Sequence, residues 1–487
     1  MSLMQSPIPW LLIIPLAGAV LTMLLPERLR SAASLLGILS QLTASISLLL
    51  LVQNSGPVIY AMGDWQAPLG IALRADGLAT LFVLMSALVG TLCAFYAQQY
   101  LTPAKLANFW PLFWFLWASL NGIWLAADSF NLYVGLELLT LAAVGLVAFA
   151  ADEKSLEAAI RYLYAALLGS MGYLLGVALL YGAHGTLALD GLAAHWQGGA
   201  TSQVAIALIL AGLMLKTAVF PLHTWLPPAH GGALTPVSAL LSALVIKASL
   251  YILLRFWIEL DIYRQMPALS QLLGFFGSGA VLWGGWMALR QHQLKMVIAY
   301  STLAQIGYML LMFPLLTGQY PEATMMAYQG GILMLLAHAL AKAGMFLAAG
   351  NLIFCTGKSE LSALAGMSRY RPLNIFAFGL AGVSIMGLPP SGGFSAKWLL
   401  LQSSLISQQW WWAVVMLLGS LLSAAYIFRV FAYTYRETGE GDTFARPALS
   451  LELIALFLSV SSILLGFVAV FPLELISLPG PLREALP

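Results

Sequence analysis

Charged side chains are scarce in this sequence. Asp, Glu, Lys and Arg together make up 8% of its 487 residues, where a soluble domain carries about 25%. That shortage, beside 61% hydrophobic residues, excludes a soluble globular chain and predicts a polytopic membrane protein, for which one domain per ~150 residues has no meaning. Cysteine is nearly absent too. Cys93 and Cys355 stand alone in separate apolar runs, with no CxxC pair. Neither a metal site nor an iron–sulfur cluster is expected, and no cofactor is predicted; both thiols read as small buried hydrophobes. The net charge of +2 gives no argument for a nucleic-acid partner. The first apolar run, Ile8 to Leu25, lacks a basic segment before it and a small-x-small cleavage site after it. It reads as a retained helix, not a signal peptide. No redox motif and no attached soluble domain is read anywhere along the chain.

What the sequence does hold is a series of apolar windows of about 20 residues, the length that crosses a bilayer as helix. Fourteen are predicted, at about 8–26, 31–52, 77–97, 109–127, 129–150, 157–181, 203–227, 234–258, 269–289, 297–316, 327–354, 373–405, 409–432 and 451–473. With both termini on the outer side, thirteen basic residues fall inside and four outside, the four being Arg74, Arg255, Arg264 and Arg483. An odd number of spans would scramble this positive-inside bias. The chain is expected to be one all-α membrane domain, 1–487. Three helices lie within 1–100, five within 109–258, five within 269–432, and a last one at 451–473. A multi-pass position in the inner (plasma) membrane of a prokaryote follows. The outer segment Asn54–Ala72, with Pro57, Gly63, Pro68 and Gly70, reads as an ordered turn-rich loop or short hairpin. Glu437–Pro447 reads as a polar inner loop, and Trp410–Trp412 as an interfacial aromatic belt.

Two windows are interrupted. The seventh contains Pro221 and then His223, Trp225, Pro227 and Pro228; the twelfth contains Gly387-Leu-Pro389-Pro390-Ser-Gly392-Gly393. Proline removes a backbone donor and clashes with the preceding turn, and at bilayer depth the freed carbonyls need protein or water partners. A plain kink is the alternative for the seventh. In the seventh, Lys216 comes five residues before the proline; in the twelfth, Lys397 comes seven residues after the second one. Five helices apart, the two breaks run in opposite directions across the membrane. Reversed direction with reversed order predicts an inverted repeat of helices 4–8 and 9–13.

The few charges inside the windows carry the chemistry. Lys216, Lys247, Lys342 and Lys397 lie there with Glu137 and His338, and no arginine lies mid-window. One mid-bilayer lysine costs roughly 2.5–3.5 kcal/mol, so four cost about 10–14 kcal/mol, as much as a typical protein's whole net stability. Such residues mark proton or ion pathways by default. Lysine can give up its proton when buried, whereas arginine stays charged. Glu137 is expected to pair with Lys216, so that separating the two would release the proton; a static ion pair is the alternative. Lys247 is the next station, with Thr217, Ser238, Ser242 and Ser249 as holders of connecting water. His338 and Lys342 are four apart and share a helix face, which suggests a relay rather than a merely hydrogen-bonded histidine. Lys397 is the last station. His223 and His230 are placed near the inner surface as candidates for proton uptake or release, the alternative being interfacial histidines beside a Trp anchor.

The stretch Lys216-Thr-Ala-Val-Phe-Pro-Leu-His-Thr-Trp-Leu-Pro resembles the hallmark of the antiporter-like proton-translocating subunits found in respiratory complex I, membrane-bound hydrogenases and Mrp-type multisubunit sodium/proton antiporters. Thr235-Pro-Val-Ser-Ala-Leu, Ala299-Tyr-Ser-Thr-Leu-Ala-Gln-Ile-Gly-Tyr308, His338-Ala-Leu-Ala-Lys342 and Gly387-Leu-Pro-Pro-Ser-Gly-Gly-Phe394 follow in family order over nearly the whole chain. The resemblance implies fourteen helices, two inverted five-helix repeats and broken helices 7 and 12. It implies functional roles for Glu137, Lys216, Lys247, His338, Lys342 and Lys397. Within the family the chain is most similar to the D-type subunits of Mrp antiporters, because it shows no long lateral helix after the last span and has lysine at 247. It departs from many relatives at Pro228, where they carry an acidic residue, and at Met334, where they carry a second histidine.

Three functions are therefore weighed. The first is the proton-moving subunit of an Mrp-type antiporter, coupled to a monovalent cation, with sodium expected, and working beside a larger homologous subunit and several small hydrophobic ones. The second is a non-catalytic pump subunit of a redox complex, or of an inorganic-carbon uptake complex. The third is a membrane scaffold with a retired channel, against which the complete set of lysines argues.

Overall fold

The computed structural model describes residues 6–65, 70–196, 198–317, 319–437, 444–479 and 486. Arg483 and most of the Glu437–Pro447 loop therefore lie outside the described residues. Each predicted apolar window is occupied by helix, from Trp10–Leu24 through Leu449–Leu464. Among the described residues, ten helices are long and apolar enough to cross a membrane; Trp10–Leu24, Pro372–Met386 and Leu449–Leu464 are shorter apolar helices. The Pro103–Leu125 helix, in the place of the fourth window, is 23 residues long and rich in tryptophan. The turn-rich segment after Ser55 is a hairpin, Val58–Ala61 paired antiparallel with Ala72–Ala75.

Burial sorts these helices into a centre and a periphery. Thr235–Glu259 and Pro321–Thr356 are fully buried along their apolar windows, whereas Glu27–Ser55, Glu153–His184 and Trp410–Thr434 turn most of theirs outward. Hydrophobicity alone does not separate the two sets, because hydrocarbon tails and core side chains ask for the same residues. The two central helices carry Lys247, His338 and Lys342. Of the Trp410–Trp412 run, the first two rings are exposed and the third is buried.

Both expected breaks are present. The Ala200–Thr217 helix stops where Ala218 takes a left-handed conformation, and a short helix, Leu226–Gly232, resumes after a turn. Pro372–Met386 stops at Gly387, whose φ of 79° suits glycine, and Gly392–Ile406 resumes after it. Ser391 caps this second half by accepting from the Phe394 amide at 3.2 Å. A side chain on Gly387 would also collide with the Lys397 stem, so the turn and the lysine are fitted to each other.

The Glu153–His184 and Ala200–Thr217 helices cross with their backbones in contact. A Cβ on Gly169 would come within 2.8 Å of the Gly212 carbonyl, and one on Gly212 would strike the Gly169 carbonyl. This close approach seats Lys216, one turn beyond Gly212. Gly212→Ala is expected to cost about 1–3 kcal/mol, the usual range for overpacking. It should be read as an earlier midpoint for heat-induced loss of the solubilised complex; an unchanged midpoint would show that the crossing relaxes without strain.

Candidate functional site

The Ser129–Ala148 helix begins at an Asp128 cap, whose side chain accepts from the Asn131 amide at 2.7 Å, and it brings Glu137 against the helix carrying Lys216. Lys216 Nζ lies 3.3 Å from Glu137 Oε1 and donates to Thr140 Oγ1 at 2.9 Å. The Ser170 hydroxyl donates to the same carboxylate oxygen. The amine is buried, but the Glu137 side chain is 24% exposed. It lies in a stripe with Phe130, Val134 and Leu141, all exposed. The pairing expected from sequence is thus formed at the edge of the chain rather than at its centre.

From Lys216 the polar contacts step inward. The adjacent Thr217 hydroxyl shares a 2.8 Å hydrogen bond with Ser249, on the helix that carries Lys247. One wide turn, Leu241–Val245, interrupts that helix just before Lys247, a local irregularity that recurs at functional positions. Lys247 Nζ donates to the Ser242 carbonyl at 2.6 Å and lies 2.6 Å from His338 Nδ1. The Ser242 hydroxyl meets Thr302 at 3.0 Å. Thr302 donates to the Ile298 carbonyl, also at 3.0 Å. Lys342 Nζ donates to that same carbonyl at 3.0 Å and to the Ser301 hydroxyl.

The line continues to the second break. Tyr426 lies against Ser301 and Gln305, and Gln305 reaches the Ile385 carbonyl at 3.4 Å. Lys397 Nζ donates to the carbonyls of Ile385 at 2.9 Å and Met386 at 3.2 Å. These are carbonyls of the last turn before the break, which have no intrahelical donor of their own. The ammonium also sits over the Tyr308 ring, 4.0 Å from its centroid, a cation–π contact. Pro389, Pro390, Gly392 and Gly393 thus open the helix where Lys397 fills the gap. At the first break, which contains Pro221, the Trp225 indole donates to the Leu215 carbonyl at 2.9 Å.

Two expectations need correction. His338 shares a helix face with Lys342, but its ring meets Lys247 instead; Lys342 is engaged by Ile298 and Ser301 on the neighbouring helix. His223 and His230 are not surface residues. They are 8% and 1% exposed, stacked on Phe220 and Phe346 at 5.6 Å and 5.3 Å. His230 lies on the short Leu226–Gly232 helix and His223 in the turn before it, and both rings pack inside the chain.

Sequence reasoning also missed residues. Ser301 and Thr302 join stations on different helices, but hydroxyls in apolar helices usually bond their own backbone, so nothing marked them. Lys295 donates to the Ala233 carbonyl at 2.7 Å instead of lying free in a loop. Arg255, assigned to the outer side, is 2% exposed and belongs to a buried cluster with Arg74, Asp76 and Glu259. Its signal was present: Lys247, Tyr251, Arg255 and Glu259 recur every fourth residue on one helix face. Among the described residues no group of three or more His, Cys, Asp or Glu side chains is placed to hold a metal ion.

A family model described as NADH:quinone oxidoreductase/Mrp antiporter, TM, matches residues 126–423, more than half of the chain. The N-type subunit of the NADH-quinone oxidoreductase of Desulforudis audaxviator (strain MP104C) is 36% identical over 386 residues, covering 78% of this chain and 75% of that protein. The D-type subunit of the Na(+)/H(+) antiporter of Alkalihalophilus pseudofirmus is 28% identical over 442 residues, covering 89% of this chain and 87% of that protein. In the solved Mrp complex from Dietzia sp. DQ12-45-1b, one chain superposes with a TM-score of 0.89 at 26% identity, covering 100% of this chain and 98% of that one. The chain is an antiporter-like polytopic membrane subunit and belongs to the NADH:quinone oxidoreductase/Mrp antiporter transmembrane family.

Proposed function

We propose that this chain is the D-like subunit of an Mrp-type cation/proton antiporter and moves protons along the buried line Glu137, Lys216, Lys247, His338, Lys342 and Lys397. The observation that carries this reading is the row of hydrogen-bonded segments, with gaps on either side of the Thr217–Ser249 bond, that runs past four buried lysines through hydroxyls and freed carbonyls. Each lysine is held by neutral acceptors or, at Lys216, by one carboxylate. Such an amine can stay in place with or without its proton, which a relay requires. The reading includes fourteen crossings, the two inverted repeats over 109–258 and 269–432, and termini on the outer side of a prokaryotic inner membrane, the side that then also holds the Val58–Ala75 hairpin.

The half-exposed Glu137 on an apolar face supports a partner. A carboxylate facing hydrocarbon is costly, so a neighbouring subunit is proposed to cover that stripe. Sodium is the proposed coupled cation, carried elsewhere in the assembly. A second reading, a pump subunit of a redox complex, is favoured by the 36% identity to an oxidoreductase subunit.

The experiment is to purify the complex from its native membrane, identify its subunits, and measure sodium-driven proton exchange after reconstitution into vesicles. Hydrophobic subunits alone, with exchange that depends on sodium, are the expected result. Flavin or iron–sulfur subunits, with proton movement that follows electron transfer and ignores sodium, would replace the antiporter reading by the redox one.

A further inference from the structure

The Arg74–Asp76–Arg255–Glu259 cluster takes no part in the line above, yet two of its members, Arg255 and Glu259, sit on the helix that carries Lys247. Arg255 grips Asp76 with two hydrogen bonds of 2.5 and 2.7 Å and Glu259 Oε1 with one of 2.9 Å. Arg74, at the end of the hairpin's second strand, also bonds Glu259 Oε1 and reaches Asp190 at 2.7 Å. The Asp190 side chain is 56% exposed, whereas those of Arg74, Asp76, Arg255 and Glu259 are buried. The cluster therefore runs from the buried end of the lysine helix to the surface at the hairpin end. With all groups ionised the four buried ones, two carboxylates and two guanidiniums, balance, and the exposed Asp190 adds one further negative charge at the surface.

Three polar atoms there are buried without a hydrogen-bond partner among the described residues: Arg74 Nε, Glu259 Oε2 and the Tyr328 hydroxyl. Tyr328 is 1% exposed and lies within electrostatic reach of Asp76, Arg255, Tyr251 and Glu259. A buried carboxylate oxygen and a buried hydroxyl that both lack protein partners are each a place for bound water. The position of this pair is informative. Glu259 is twelve residues past Lys247 and Tyr328 ten before His338. At 1.5 Å per residue they lie about 18 Å and about 15 Å from the Lys247–His338 contact, at one level toward the hairpin end. The same two helices thus hold a proton-carrying pair at their middle and an unsatisfied acid–hydroxyl pair three turns away.

We propose that Glu259 is a proton-release group at the hairpin end, on a branch that leaves the proton line at Lys247 by water and empties to the medium beside Asp190. The inference rests on the proton-line reading of Lys247. In the step, the Lys247 ammonium gives a proton to water and becomes a neutral amine. The water chain delivers a proton to Glu259 Oε2, which becomes a neutral acid while Arg255 and Arg74 stay bonded to Oε1. The proton then leaves to the aqueous side and the carboxylate returns. Tyr251, between the two stations, does not carry it. Its hydroxyl donates to the Trp124 carbonyl at 2.6 Å and accepts twice from Arg255, which leaves it no free position. Arg255 holds Oε1, so only Oε2 is open to the incoming proton.

The test uses the whole complex in vesicles and the variants Glu259→Gln, Glu259→Asp and Tyr328→Phe, with Lys216→Ala as control. Glu259→Gln keeps the shape of the side chain and is expected to slow proton transport by about tenfold or more, the scale for loss of a positioned proton-transfer group, with Glu259→Asp recovering much of the rate. Tyr328→Phe removes a hydroxyl that holds no bond and is expected to slow transport a few-fold at unchanged assembly. Infrared difference spectra under turnover should show a protonated-carboxyl band that Glu259→Gln removes. A rate loss in Glu259→Gln without that band assigns Glu259 a structural role and overturns the proposal. Full rate in Glu259→Gln and Tyr328→Phe, with none in Lys216→Ala, overturns it while leaving the proton line in place. Full rate in Lys216→Ala removes the underlying reading and the proposal with it. If Glu259→Gln fails to assemble, Tyr328→Phe decides, and a full rate there counts against the proposal.

Discussion

Lys247→Arg should stop proton translocation while leaving the charge at that site in place. Arginine remains a cation under all conditions a protein meets, so it can occupy a buried cationic position but cannot hand a proton on. Lys247 is fully buried, with its amine held only by the Ser242 carbonyl and the His338 ring. Neither partner is anionic, so a permanent charge gains nothing here that a static role would require. Lys247→Met, which keeps the length and loses the charge, should also be inactive, and it should assemble well because it removes the desolvation cost of a buried ammonium. Both are expected below about one hundredth of the unaltered rate, within the range for loss of a positioned acid–base group. The measurement is proton uptake into vesicles, normalised to the amount of assembled complex. Normal transport by Lys247→Arg would mean that the residue serves as a fixed charge.

The difference between what was legible in the sequence and what was not has a physical basis. Helix positions were legible because a helix that crosses hydrocarbon satisfies its own backbone and so needs an apolar run of about 20 residues, longer than a barrel strand. The breaks were legible for the converse reason: proline inside such a run frees carbonyls that must be satisfied, and Lys397 does satisfy them at Ile385 and Met386. The partner of Lys216 was legible because Glu137 was the one carboxylate placed mid-membrane. The partner of His338 was not. Spacing along one helix pointed to Lys342, but contacts between helices decided for Lys247, and only helix rotation determines which face meets which neighbour. Arg255 was missed because it stands near the end of its window. There, burial depends on whether a loop folds over it, and the hairpin carrying Arg74 does so.

Neutralising both members of the Glu137–Lys216 pair should separate a working pair from a static one. Removing one partner of a buried ion pair typically costs about 3–5 kcal/mol, because the other is left uncompensated, whereas replacing both is often neutral. Assembly should therefore fall in Lys216→Met alone and in Glu137→Gln alone. The Glu137 effect should be the smaller, since its carboxylate is partly exposed and accepts from Ser170 as well. Assembly should return in the double variant, where Thr140 and Ser170 keep neutral partners within reach. Proton transport should not return with it. The double variant is expected at about one hundredth of the normal rate or less, and no slower than the worse single variant, because groups that act as one unit lose their function once. Quantitative recovery of the complex on a gel of solubilised membranes, set against proton flux from the same membranes, gives both readings. A double variant that assembles and transports normally would make the pair a structural ion pair and overturn the proton line as proposed.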